Sequence, residues 1–294
     1  MSDIIPFDQR DGFIWQDGEF VPWKDAKVHV LNHGLHYASC VFEGERIYNK
    51  KIFKCNEHSV RLHDSAKMMD FKIPYSIAEL NEIKKQLVAK QNITDGYMRA
   101  FAWRGSEKMA ISAQNNKIHV AVACWPWPPY YSDEARKTGL KLKFAKYRRP
   151  SPESAPVSAK AAGLYMICTI SKHEAERDGY NDALMLDYRG YLAEATGANL
   201  FLVMQNNELH TPIADCFLNG ITRQTVIEIA KKRNIKVIER HIKAEELENA
   251  VDAFLTGSAA EITRIGSIEE KIKYPQASQM TLDLMQDYHN LVRS

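Results

Sequence analysis

Three prolines crowded into seven residues divide this chain. Trp125-Pro-Trp-Pro-Pro-Tyr-Tyr131 carries Pro126, Pro128 and Pro129. Proline has no amide hydrogen to give a helix interior or a central strand, so neither element can run through this segment. The parts before and after it must each find their own core. We place a linker at 126–135, between a smaller domain at 1–125 and a larger one at 136–294. A length of 294 residues is consistent with about two domains. The aromatic rings of the break either line a cleft or pack the linker down.

Both halves mix helices with hairpins. Asp17-Gly18 separates Phe13-Ile14-Trp15 from Glu19-Phe20-Val21, and Asn49-Lys50 separates Val41–Tyr48 from Lys51–Lys54, each a hairpin signal. A helix is predicted after Asn56, and another from Ser76, where Ser76-Ile-Ala-Glu79 matches a capping box. Tyr97–Trp103 and Ile118–Trp125 read as strands. In the second half a strand is expected at Leu140–Tyr147, and a helix at Leu164–Arg177 closed by Gly179. Strands are expected at Ala183–Asp187, Tyr191–Thr196, Leu200–Gln205, Lys236–Ile242 and Ala253–Thr256. Thr222 is expected to cap one helix, Glu245–Glu248 to form a short one, and Thr281–Leu291 to close the chain. The class is α+β.

Composition removes several functions. Lysine and arginine total 39 against 37 aspartates and glutamates, a net charge of +2, which offers no bulk attraction to nucleic acid. The longest strongly apolar run ends at Val120–Trp125, far short of the ~20 residues that span a bilayer. The start, Met-Ser-Asp-Ile-Ile-Pro, shows no secretory signal. Five cysteines, odd in number and without a C-x-x-C pair, read as buried thiols in a reducing compartment, hence a cytoplasmic protein. His29, His33 and His36 fall in a stretch read as strand then loop, and no metal site is expected.

Lys160 stands out as the only charged residue from Ser154 to Ser171. Desolvation there lowers an ammonium's pKa and frees the amine as a nucleophile; the alternative is a lysine that snorkels outward. Glu194, in Tyr-Leu-Ala-Glu-Ala-Thr, either faces solvent or meets a cation, for which a pyridinium nitrogen would serve. Gly220-Ile221-Thr222 at a helix start, and Gly257-Ser258-Ala259-Ala260 after a strand, can each cradle a phosphate through backbone amides. Arg61 either grips a phosphate or covers surface, and Tyr97 and Arg99, two apart on a strand, can hold a carboxylate together.

Seven segments occur in one order along the chain: His36-Tyr37-Ala-Ser-Cys-Val-Phe42-Glu43-Gly44, Arg61-Leu-His-Asp-Ser, Tyr97-Met-Arg99, Ser154–Tyr165 around Lys160, Glu194-Ala-Thr-Gly-Ala-Asn199-Leu-Phe, Gly220-Ile-Thr-Arg223 and Gly257-Ser-Ala-Ala-Glu-Ile. In this the chain resembles the branched-chain amino acid aminotransferases, fold type IV pyridoxal-phosphate enzymes. The resemblance implies a two-domain α+β architecture: a smaller N-terminal α/β domain, a larger C-terminal pseudo-barrel, and the site between them. It implies transamination of Leu, Ile and Val with 2-oxoglutarate through a Schiff base on Lys160, which then acts as general acid and base. Arg61, Ile221, Thr222 and Ser258 would hold the phosphate, Tyr165 the phenolic oxygen and Glu194 the pyridine nitrogen. Tyr97, Arg99, Ser258 and Ala259 would face substrate carboxylates. Phe42, Trp127 and Tyr130 would wall the side-chain pocket, and Tyr37 would reach the neighbouring subunit's site in a homodimer or larger assembly. The expected partners are small amino acids and 2-oxo acids, with no nucleic acid, membrane or metal. Alternatives on the same fold are a D-amino acid aminotransferase, an aminodeoxychorismate lyase or a non-catalytic cofactor-binding protein. Glu45 departs from the pattern, standing where many relatives carry an aliphatic residue, so an extra acid near the pocket is expected.

Overall fold

The computed structural model describes residues 5–128, 130, 131 and 133–294, the side chains of 133, 136 and 137 aside. It divides into two units, Met1–Pro128 with Ala159–Gly163, and Pro129–Ser158 with Leu164–Ser294. The short segment carrying Lys160 therefore packs with the first unit, although in sequence it lies within the span we assigned to the larger domain.

The first unit is built on one sheet. Its strands are β1 (Phe13–Gln16), β2 (Glu19–Pro22), β3 (Cys40–Phe42), β4 (Glu45–Tyr48), β5 (Lys51–Ile52), β6 (Gly96–Arg104) and β7 (Ile118–Pro126), in the order β2-β1-β7-β6-β4-β5, with β3 also on β6. Its helices are α1 (His33–Tyr37), α2 (Cys55–Met68) and α3 (Ile77–Lys90). The single strand expected over Val41–Tyr48 is two, β3 and β4, parted at Glu43-Gly44. Both still pair with β6, Phe42 opposite Phe101 and Glu45 opposite Met98. The Asn49-Lys50 turn is left-handed at both residues (φ 48° and 67°), the geometry that matches strand twist. α3 begins with the expected capping box: Ser76 Oγ accepts from Glu79 N, and Glu79 accepts from Ser76 N. Leu80, Leu87 and Val88 of that helix are buried, which fixes its inward face.

The second unit opens with α4 (Asp133–Thr138) and β8 (Leu140–Phe144), followed by α5 (Met166–Arg177), β9 (Asp182–Leu186), β10 (Leu192–Ala195), β11 (Asn199–Met204), β12 (Leu209–Pro212) and α6 (Ile221–Lys232). β13 (Val237–Arg240), β14 (Ala250–Gly257), β15 (Glu261–Ile268), β16 (Ile272–Lys273) and α7 (Gln279–Arg293) complete it. The strand order is β10-β9-β8-β15-β14-β11-β12-β13, and β10 also pairs with β11. That last pairing closes six strands into a ring, the expected barrel, and leaves β12 and β13 as an extension. Leu140, Leu142, Leu184, Leu200, Leu202, Leu255 and Ile265, all fully buried, fill one apolar cluster of this unit. Large aliphatic side chains removed from water supply about 25 cal/mol per Å² and dominate the stability of such a core.

Other local expectations fail as well. Thr222 does not cap α6; the cap is Gly220, and Thr222 lies buried inside the first turn. The histidine stretch, read as strand then loop, contains α1. There His33 Nε2 meets Ala110 O at 2.9 Å, His36 Nε2 meets Val30 O at 2.8 Å, and His29 Nδ1 accepts from Leu31 N. Of the five cysteines all are free, but only Cys124, Cys168 and Cys216 are fully buried. Among the described residues no helix is long and apolar enough to cross a membrane.

Candidate active site

Lys160 is held by its backbone. Its amide donates to Ser65 Oγ of α2 (2.9 Å), its carbonyl accepts from Phe42 N (3.1 Å), and its neighbour Ala161 bridges to Val41. The side chain runs over the Phe42 ring, with Nζ 4.9 Å from the ring centre. Burial, and then the positive charge of Arg61, push the amine down to about 8, while Glu43 and Tyr97 push the other way. A lysine at about 8 carries a substantial neutral fraction near neutrality and can act as nucleophile or base. Lys160 is thus a desolvated amine rather than one that snorkels into water.

Around it, β6 presents Tyr97 and Arg99 on one face, as their spacing predicts. Arg99 Nη2 donates to Tyr97 Oη (3.2 Å), and its guanidinium stacks 4.6 Å over the Phe42 ring. Phe42 therefore has both an amine and a guanidinium against its ring. Tyr97 is buried, its ring tilted 5.4 Å from each of Trp125 and Trp127. Trp127 thus joins Phe42, Tyr97 and Arg99 in the first unit. Tyr130, in the second unit, is 47% exposed and packs edge-on to Tyr131.

Arg61 corrects one reading, for it is not merely cover on the surface of α2. Its Nε and Nη2 donate to the two oxygens of Glu43, each at 2.7 Å. Glu43 is completely buried and also meets His58 Nδ1 at 2.6 Å. Burial alone would raise this carboxyl, but Arg61 and His58 outweigh it and hold it well below the usual range. The extra acid Glu45 is not in this cluster. It is fully buried against Lys84 of α3, Oε1 to Nζ 2.6 Å, so its charge is matched inside the small unit.

In the second unit, Glu194 is buried rather than exposed on an edge. Arg149 Nε stands 3.4 Å from its Oε1, and Asn199 Nδ2 donates to its Oε2 at 3.0 Å. Arg149 is itself buried; that desolvation is the largest single influence and lowers its pKa, but Glu194, Cys168 and Tyr165 together outweigh it and raise it. The Arg149 charge also reaches Tyr165, which ends a 3₁₀ turn at Ala162–Tyr165. Asn199 extends the network, since its Oδ1 accepts from Gly220 N at 3.2 Å. A Cβ on Gly220 would lie 2.2 Å from that oxygen, so any side chain there would have to push the Asn199 amide aside. One asparagine thereby ties Glu194 to the start of α6, where no side chain caps the helix and the amides of Ile221 and Thr222 begin the first turn. Thr256 of β14 pairs opposite Asn199, which delivers Ser258 and Ala259 two and three residues further on.

Sequence reasoning missed three contributors: Glu43, Arg149 and Asn199. Glu43 and Asn199 stood inside recognised segments without a role. Arg149, in a Tyr-Arg-Arg-Pro run, gave no pattern to read. Tyr37 lies on α1, 46% exposed and stacked on His33 at 4.7 Å.

The donor set suits pyridoxal phosphate. The first unit offers a desolvated amine for an aldehyde, and the second a carboxylate beside the Arg149 guanidinium for a ring nitrogen. For a phosphate it offers an uncapped 12-residue helix start with nothing bulkier than glycine before it. A Cβ at Gly197, in the turn between β10 and β11, would meet nothing within 4 Å, so this edge of the unit is open.

Comparison with known proteins agrees. The amino-transferase class IV family matches residues 40–268. The chain is 41% identical over 293 residues to a probable branched-chain-amino-acid aminotransferase of Rickettsia felis, covering 99% of each. The crystal structure of the Escherichia coli branched-chain amino acid aminotransferase superposes with a TM-score of 0.92 at 36% identity, covering 96% of this chain and 95% of that one. The T.th. branched-chain amino acid aminotransferase complexed with N-(5'-phosphopyridoxyl)-L-glutamate superposes with a TM-score of 0.91 at 35% identity, covering 97% and 95%. By fold, residues and kinship, the chain belongs to the class IV aminotransferases and, within them, to the pyridoxal-phosphate-dependent branched-chain amino acid aminotransferases.

Proposed function

We propose that this chain moves the amino group between the branched-chain L-amino acids Leu, Ile and Val and 2-oxoglutarate. The observation that carries the reading is the Phe42 ring with Lys160 Nζ 4.9 Å from its centre and the Arg99 guanidinium 4.6 Å from it. An aliphatic side chain can rest on that ring, and a γ-carboxylate can reach the guanidinium. One pocket then serves two unlike substrates.

Pyridoxal phosphate, when bound, supplies an aldehyde for the amine and a ring that takes up electrons from the substrate Cα. Lys160 holds the cofactor and moves the proton at Cα, a task for which an amine at about 8 is suited. Glu194 holds a proton on the ring nitrogen, and Tyr165 meets the phenolic oxygen. Arg61, the amides of Ile221 and Thr222 and the Ser258 hydroxyl bind the phosphate. Tyr97, Arg99 and the Ser258-Ala259 backbone orient carboxylates, while Phe42, Trp127 and Tyr130 wall the apolar side. Tyr37 serves the neighbouring subunit of a homodimer. In support, α1 and the segment before it expose Val30 (71%), Leu31, Leu35 (70%) and Tyr37, an apolar surface suited to a second copy. Free thiols fit a cytoplasmic setting.

The test is a half-reaction panel. Cofactor-loaded protein is mixed with single L- and D-amino acids and its spectrum followed. L-Leu, L-Ile, L-Val and L-Glu should each convert the bound cofactor. Conversion by D-alanine in place of these would move the reading to a D-amino acid aminotransferase.

A further inference from the structure

One face of α2 does three jobs. His58 and Arg61 reach Glu43, and Ser65, one turn on, holds the Lys160 amide. Glu43 is equally fixed from its other side, for its amide donates to Ala100 O of β6 at 2.7 Å. Its neighbour Phe42 donates to Lys160 O at 3.1 Å. The carboxylate, the fork it grips and the amine-bearing residue thus share one rigid frame.

From this we propose that Glu43 is a positioning residue for Lys160: by locking and neutralising the Arg61 fork, it sets how readily the lysine amine sheds its proton. The proposal rests on the reading of Lys160 as the cofactor-bearing amine.

Two cations and two acidic groups of the first unit act on that amine. Arg61 of α2 and Arg99 of β6 drive its proton off; Glu43 and Tyr97 draw it back. Arg99 has its own partner in Tyr97 (3.2 Å) and stacks on Phe42. Arg61 has Glu43, through two charge-assisted bonds of 2.7 Å that cannot be satisfied by a rotated guanidinium. Removing the Glu43 charge strips Arg61 of this compensation in a poorly solvated place, and more of its field then falls on Lys160. Removing the Arg61 charge does the opposite. The two substitutions must therefore shift the amine in opposite directions, which a merely structural role for Glu43 would not produce.

The experiment uses the full-length, cofactor-free protein. Butanal, a small aldehyde uncharged at every pH, is trapped on the protein with cyanoborohydride, and the rate of alkylation at Lys160 is read by peptide mass. In the wild type the rate should rise with pH to a midpoint near 8. Glu43→Gln should lower that midpoint by about one pH unit, a tenfold change in the proton equilibrium. Arg61→Gln should raise it, and Glu43→Asp, which keeps the charge but shortens the reach, should fall between Gln and the wild type. Thermal unfolding of each variant shows whether it is folded; should Glu43→Gln fail to fold, the Arg61→Gln and Glu43→Asp shifts still decide. An unmoved midpoint, or shifts of the same sign, overturns the proposal and leaves the functional reading intact. Wild-type labelling at a residue other than Lys160 sinks that reading and the proposal with it.

Discussion

The Tyr97 hydroxyl lies directly on Gly44: a Cβ built on that glycine would stand 1.9 Å from the phenolic oxygen. Gly44 is thus kept free of a side chain to admit Tyr97, and no strained backbone angle is involved. Gly44→Ala should displace Tyr97 and with it the Arg99 hydrogen bond. We expect kcat/KM to fall about 10- to 100-fold, as displacements near 1 Å commonly cost. Stability should drop by about 1–3 kcal/mol through overpacking. Steady-state kinetics and urea unfolding check both. An unchanged kcat/KM would mean that Tyr97 does not orient substrate.

Lys160 predicts a stability that depends on pH in the cofactor-free protein. Its amine titrates at about 8 when folded and at the ordinary 10.5 when unfolded. Below pH 8 both states carry the proton, and the fold bears the full cost of a desolvated ammonium. Between 8 and 10.5 the unfolded chain binds more protons, so stability rises with pH in that window. Lys160→Met should remove the cost and stabilise the cofactor-free protein at pH 7 by up to about 3 kcal/mol. The advantage should shrink as pH climbs toward 10.5 and vanish above it. Denaturant unfolding at pH 7, 9 and 10.5 reads this directly; a pH-independent difference would refute the desolvated amine.

The Glu45–Lys84 pair is fully buried, and Lys84 directs its hydrogen bond to Ser59 Oγ at 2.8 Å. Lys84→Met should strand a buried carboxylate and cost about 3–5 kcal/mol. The double substitution Glu45→Ile with Lys84→Met removes both charges and should cost far less, or stabilise. Thermal melts of the single and double variants would decide, and additive losses would contradict the pairing.

Asn199 holds Glu194 on one side and Gly220 on the other. Asn199→Ala should loosen both and weaken pyridoxal phosphate binding about tenfold, the scale of one or two lost buried hydrogen bonds. Gly220→Ala should do likewise by pushing the Asn199 amide away. Absorbance titration of cofactor-free protein measures the affinity. Full affinity in both variants would show that the start of α6 needs no such anchor.

Arg99 should matter unequally for the two substrate classes. Arg99→Ala should reduce glutamate turnover about 100-fold, roughly the worth of a charge-assisted contact of 2–3 kcal/mol. Leucine turnover should fall less than about tenfold, because an aliphatic side chain asks only for the Phe42 and Trp127 surfaces. Equal losses would place Arg99 on the α-carboxylate common to both.

Local chemistry was readable from the chain itself, because it depends on neighbours in sequence. The capping box at Ser76, the left-handed hairpin turns, the alternation that sets Tyr97 and Arg99 on one face, and the charge-poor setting of Lys160 are of this kind. They were enough to assign the class and most elements, while the role of Lys160 came from the seven ordered segments rather than from its charge-poor setting alone. What only tertiary structure decided is which charges meet. Arg61 and Glu43 are 18 positions apart, Glu45 and Lys84 are 39, and Arg149 and Glu194 are 45. Periodicity carries no signal for such pairs, since nothing in a residue's sequence neighbours names its partner. Their burial is tolerable only because folding brings the opposite charge within hydrogen-bonding distance, and that depends on strand order and helix placement rather than on spacing. The same holds for the closing of the barrel by β10 on β11, and for the packing of the Lys160 segment with the first unit.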